Sequence, residues 1–275
     1  MMAAKNPPTG GGPGTNQHAI RGVAKGRQGT GLRQGVGVLR DATHLLSEND
    51  VACEEIVGYD NDRGSFHVNP DGTTGGWVSH QAMVSPEAWV GPNARIDGAC
   101  LITGAAKVHG TVLERAEIYG NAFIGEGATV KGGAKIAGEV WVTGNAIVKG
   151  GARLGGNATI SGDALISGDA RVDGRAAVSG NACVDGNAHV TDNARVEEDA
   201  YVTGRTKVHQ YARVEGSATV TEGAQVFGNA VVKGDARVDG NSRTGGDVVV
   251  SGNALVTGNT ALSGDEVVLS LVSQR

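Results

Sequence analysis

Aromatic side chains make up only 4% of this 275-residue sequence. A wide core would need such rings to fill it, so their scarcity points to a narrow one. The three cysteines, Cys53, Cys100 and Cys183, are too few and too scattered for a disulfide framework or a zinc site. No apolar run approaches the ~18 residues of a membrane span. The opening residues, Met1 to Pro8, lack the apolar stretch of a signal peptide. The expected setting is therefore the cytoplasm, a phage particle, or export by a route the sequence does not display. Residues 1–40 contain no acid, while the whole chain carries a formal charge of −5. That balance argues against nucleic acid as the main partner. Glycine is abundant, at 46 residues, but no Gly-x-y period accompanies it, which excludes a collagen helix.

What the chain does have is a beat of six. From Ile118 through Val268 every sixth residue is aliphatic, with one miss at Thr244. Two residues before each aliphatic sits a small residue, usually Ala, as at Ala122, Ala128 and Ala134. Gly followed by Asn or Asp usually comes two residues after it, as at Gly144-Asn145 and Gly162-Asp163. Apolar residues two apart share one face of a short strand, and the polar residues between them take the other. Gly-Asn and Gly-Asp tolerate positive φ and make corners. A short strand and a corner, repeated without drift, describe a coil wound around one slim core. Cys100 falls on the small inward position before Ile102 and reads as core filler.

The hexad Gly-(Asn/Asp)-Ala-x-Val-x resembles the hexapeptide repeat of left-handed parallel β-helices, over residues 76–269. The resemblance implies an all-β, left-handed solenoid with three hexads, or 18 residues, per coil. Gly75-Gly76-Trp77-Val78, just before the repeats, is similar to the entry motif of long YdcK-like proteins, commonly described as acyltransferase-like. It implies that Trp77 lids the first coil. The same resemblance carries an enzymatic expectation: a trimer with acetyl-coenzyme A between subunits and a catalytic His on a protruding loop. The spacing between Val108 and Ile118 is ten rather than six. Either a corner has lost two residues and Val112 points inward, or a four-residue loop bulges out. His109, at that slip, is the candidate general base under the acyltransferase reading. The leading reading is a structural or binding rod that needs no catalysis and no cofactor.

Ahead of the repeats, residues 1–40 read as a flexible basic tail with a possible tether role for Lys5, Arg21, Lys25, Arg27, Arg33 and Arg40. Residues 41–75 read as a small cap, with a turn at Asp60-Asn61-Asp62 and a strand at Phe66-x-Val68. Residues 76–275 form the β-helix. At the far end Thr244 and Val248 disturb the hexad. No covering helix follows Val267 to Val272, which leaves an edge for end-to-end pairing.

A period of 18 also predicts which residues stack. The outward residue before each aliphatic gives a basic column of Lys135, Arg153, Arg171, His189, Lys207, Gln225 and Arg243. These are the candidate binding residues, for an anionic polymer or protein, with Glu117, Asp173, Glu197 and Glu215 as partial counter-charges. A second column, Ile147, Leu165, Cys183 and Tyr201, and a third, Phe123 with Trp141, resuming at Val231, Val249 and Val267, place apolar groups outside. They predict side-by-side packing into a homo-oligomer, a trimer by the resemblance. His189 and His209 share an edge, but no third ligand joins them as in the γ-class carbonic anhydrases, so no metal is expected.

Overall fold

The computed structural model describes residues 63–274. The tail, the Asp60-Asn61-Asp62 turn, Cys53 and the remainder of residues 41–62 lie outside that range. Within it the chain is an all-β parallel solenoid of two-residue strands, each the outward residue and the inward aliphatic of one hexad. Strands 18 residues apart pair in parallel register, as in Lys135↔Arg153↔Arg171 and Val142↔Ile160↔Val178. Three sheets result. The first has 13 strands, beginning with β1 (Gly64–Val68) and β2 (Thr74–Ser79) and ending at Val272–Gln274. The second runs over 11 strands from Met83–Val84 to Ala261–Leu262, and the third over 11 from Trp89–Val90 to Val267–Val268. Eleven coils at a strand spacing of ~4.8 Å stack to roughly 50 Å.

The core explains the composition. The aliphatic and the small residue of each hexad are buried together, among them Ala170, Val172, Ala176, Val178, Ala182 and Val184, all at 0% exposure. Each coil needs only three larger side chains facing three small ones, and no ring fits there. Cys100 is buried at a small inward position, donates its thiol to the Asp97 carbonyl at 3.1 Å, and has its pKa pushed up to about 12, first by burial. The corners are closed by positive-φ glycines stacked coil on coil, such as Gly144 (φ 67), Gly162 (φ 71) and Gly180 (φ 73). Another side chain at those corners would press on the backbone of the next coil: a Cβ on Gly162 would lie 2.7 Å from the Gly180 carbonyl oxygen. The corner Asn and Asp residues form ladders of their own, with Asn145 donating to Asp163 at 2.9 Å and Asn181 to Asp199 at 2.8 Å.

One open choice is decided and two expectations change. The slip at residues 109–117 is a shortened corner. Val112 is fully buried and pairs with Ile96, sixteen residues back, and the period of 18 resumes at once with Val130. Two corner residues are absent and nothing protrudes. Gly110 makes that tight passage possible, because a Cβ there would lie 2.4 Å from the carbonyl oxygens of Ala128 and Gly125.

Thr244 and Val248 do not disturb the hexad. Thr244 is buried in the aliphatic position, in register with Val226 and Leu262, and Val248 is buried where Ala usually stands.

Trp77 does not lid the first coil. It occupies an outward position on β2, in register with Arg95, while Val78 faces the core. Its ring lies against Gly64, where a Cβ would be 2.3 Å away, and meets Phe66 edge-on at 6.0 Å. The near end of the first sheet is instead closed by β1, which pairs antiparallel with β2 and so breaks the parallel template.

Candidate functional site

Outward residues of the second sheet share one register from Glu117 through Lys135, Arg153, Arg171, His189, Lys207, Gln225 and Arg243. The structure therefore brings all the candidate binding residues into one column, one per coil. Each is aimed outward because its successor is the inward aliphatic of the hexad, so its own side chain must take the opposite face.

The members of this column are not equivalent. Lys135 is held by Glu117 at 2.8 Å, and the same carboxylate accepts a hydrogen bond from the Tyr119 hydroxyl. The Glu117 pKa is lowered, first by the Lys135 hydrogen bond and then by Tyr119, while that of Tyr119 is raised by the same carboxylate. At the other end Arg243 lies over the Phe227 ring, 5.4 Å from its centre, and His209 stacks on the same ring at 5.6 Å. Between these two engaged ends Arg153, Arg171 and Lys207 make no ion pair among the described residues. His189 sits between Arg171 and Lys207, and its pKa is lowered, first by burial and then by those two cations.

The other two sheets treat arginine differently. Every arginine in a strand there has a carboxylate two residues on, projecting from the same face. Arg95 pairs with Asp97 at 2.8 Å, and Arg237 with Asp239 at 2.9 Å. Arg195 and Arg213 stack on one another but are clamped by Glu197 and Glu215, with Arg213–Glu215 at 2.7 Å and Arg213–Glu197 at 3.3 Å. This corrects the expected counter-charges: Glu197 and Glu215 belong to the third sheet and do not reach the basic column. In the second sheet the matching positions after Arg153 and Arg243 are Gly155 and Gly245. The one acid so placed, Asp173, directs its carboxylate to the Gly174 amide at 2.7 Å.

A shallow depression opens beside the unpaired stretch, lined by Arg153, Asp169, Arg171, Asn187 and His189. Asp169 and Asn187 were not among the expected residues. They occupy one corner column, 18 apart, and the signal for them was available in the same period that gave the basic column.

The apolar columns also have the expected registers, on two different sheets. Ile147, Leu165, Cys183 and Tyr201 stack on the first, with Ile147 and Tyr201 exposed. The Cys183 thiol has its pKa raised, first by burial and then by Asp185. Phe123 and Trp141 stack on the third at 5.1 Å between ring centres, and Val231, Val249 and Val267 continue that sheet. His109 caps this aromatic stack, 5.4 Å from the Phe123 ring, and lies over Gly91, where a Cβ would be 2.6 Å from its Nδ1. It is half-buried at the shortened corner, with no loop beside it to form a cleft. No cluster of three or more metal-ligating side chains occurs among the described residues, and His189 and His209 gain no third partner. No helix of the described residues is long and apolar enough to cross a membrane.

No family model matches the sequence, and no curated protein matches it either. Among solved structures the chain is similar to the UDP-N-acetylglucosamine acyltransferase of Francisella novicida, at 16% identity and a TM-score of 0.39. The match covers 63% of this chain and 62% of that one, less than two thirds of its length. A likeness at that level says nothing about activity.

Proposed function

We propose that this chain is a rigid, non-catalytic rod that docks an extended anionic partner along its second sheet. The observation that carries the reading is the contrast in arginine pairing. A carboxylate pairs with each strand arginine on the first and third sheets, whereas Arg153 and Arg171 are stacked about 4.8 Å apart and make no ion pair among the described residues. Like charges that close repel, so the apo strip is held at a cost that a bound anion relieves. Immobilised polyanions should retain the protein at low salt, and added salt should release it as the screening length shortens. Replacing Arg153→Glu and Arg171→Glu together should abolish that retention. Unchanged retention would refute the docking strip.

Side-by-side assembly of copies belongs to the same reading, through Ile147, Leu165 and Tyr201 on one sheet and Phe123 and Trp141 on another. Outward apolar columns of this kind favour contact with a partner over contact with water. Sedimentation should report an oligomer that Leu165→Lys weakens. Acyl transfer from acetyl-coenzyme A, with His109 as base, is the competing reading. Among the described residues no loop stands beside His109 to form the cleft such chemistry needs, and the rod reading expects no thermal stabilisation by acetyl-coenzyme A.

A further inference from the structure

The unpaired stretch of the second sheet is more than a row of cations. Asp169 and Asn187, one coil apart at the adjoining corner, line the same depression as Arg153, Arg171 and His189. Elsewhere, a corner Asn donates to the corner Asp one coil further on, as in Asn145–Asp163, Asn181–Asp199 and Asn229–Asp247. Here the order is reversed, with Asp169 preceding Asn187 as Asp163 precedes Asn181, and that reversed pair does not bond to itself either. Asp169 and Asn187 make no side-chain hydrogen bond to each other or to any described residue. The depression thus offers two guanidinium groups, an imidazole, a free carboxylate acceptor and a free amide.

We propose that this strip binds an acidic polysaccharide: a linear glycan with a carboxylate on each ring, lying along the stacking axis. The inference rests on the strip being an anion site and names the class of anion. Three features select it. The cations recur once per coil, at about 4.8 Å, a length close to that of one pyranose ring in an extended chain. Arg153, Arg171, His189 and Lys207 would meet successive carboxylates, with the planar guanidinium forks suited to paired N–H···O bonds. Asp169 then has a role that a polymer of phosphates could not give it. A carboxylate only accepts, so it repels a ligand built of acceptors and rewards one that brings hydroxyl donors. Asn187 can serve ring oxygens and hydroxyls alike. Finally, no Phe, Tyr or Trp stands in the column from Arg153 to Lys207 to stack successive bases.

The test compares sodium polygalacturonate, inorganic polyphosphate, oligodeoxythymidylate and neutral dextran by isothermal titration at about 50 mM salt. The full-length protein is set against its Arg171→Glu and Asp169→Ala variants. Both residues are exposed and outward, and unchanged melting curves would certify the folds. Polygalacturonate should bind and dextran should not. Arg171→Glu should weaken polygalacturonate by at least about tenfold. Asp169→Ala should weaken polygalacturonate several-fold while strengthening polyphosphate, and that reversal of sign is the signature of the class. Should polyphosphate or the oligonucleotide bind as tightly as polygalacturonate, or Asp169→Ala strengthen all three, the glycan assignment is wrong and the anion strip stands. Should no polyanion bind, or Arg171→Glu change nothing, both fall.

Discussion

At the scale of single residues the core holds two visible compromises, the fully buried, unpartnered hydroxyls of Thr206 and Thr244. Thr244 replaces the aliphatic of its hexad, and its hydroxyl is buried without a hydrogen-bond partner. A buried hydroxyl that has lost water and gained nothing destabilises the fold, and valine has nearly the same shape. Thr244→Val should therefore stabilise the solenoid by about 1–2 kcal/mol, read as a higher midpoint in urea. A lower midpoint would show that the hydroxyl finds a partner after all. His189 makes a second prediction. In the free protein, burial and the flanking Arg171 and Lys207 hold its pKa below the ordinary 6.5. A bound anion would favour the imidazolium and raise that pKa, so binding takes up a proton. Affinity for a polyanion should then rise as pH falls through the range from about 7 to 5, and His189→Gln should flatten the dependence. A flat profile in the unaltered protein would mean that the imidazole does not face the ligand.

At the scale of the strand and corner, the sequence was legible wherever the period held. One aliphatic, one small residue and one turn per six residues specify the inward face, the pairing partner 18 residues away, and each outward column. The residues that broke the period were harder. A ten-residue gap does not say whether chain was lost or gained, and only the pairing of Val112 with Ile96 decides it. The lid expected of Trp77 comes from the motif ahead of the repeats, whereas alternation along β2 gives the inward place to Val78. Counter-charges were misassigned for a related reason. Proximity to the basic column had to be counted in eighteens, and Glu197 and Glu215 fall on a different sheet. The shortened corner carries its own test. Gly110→Ala would drive a methyl against two backbone carbonyls and should cost about 2–4 kcal/mol. Gly252→Ala, at positive φ but in open space, should cost only about 1 kcal/mol. Equal losses in the two variants would show that the tight corner is more forgiving than its geometry.

At the scale of the whole molecule, each coil touches mainly the coils before and after it, so stability accumulates by stacking. The three sheets share one interior pattern and differ almost entirely in what they present outside: apolar groups on the first, cations on the second, rings and clamped arginines on the third. The core alone does not distinguish them.

Face identity is consequently a matter of arithmetic along the chain. Excising residues 155–160, a single hexad, would leave valine and alanine facing inward in unbroken alternation, yet Arg171 would follow Arg153 by twelve positions and emerge a third of a revolution away. Such a protein should melt close to the original temperature while losing its grip on polyanions. Removing eighteen residues together would restore the address. Insertions and deletions in this gene should accordingly be survivable in sixes for folding, but only in eighteens for recognition.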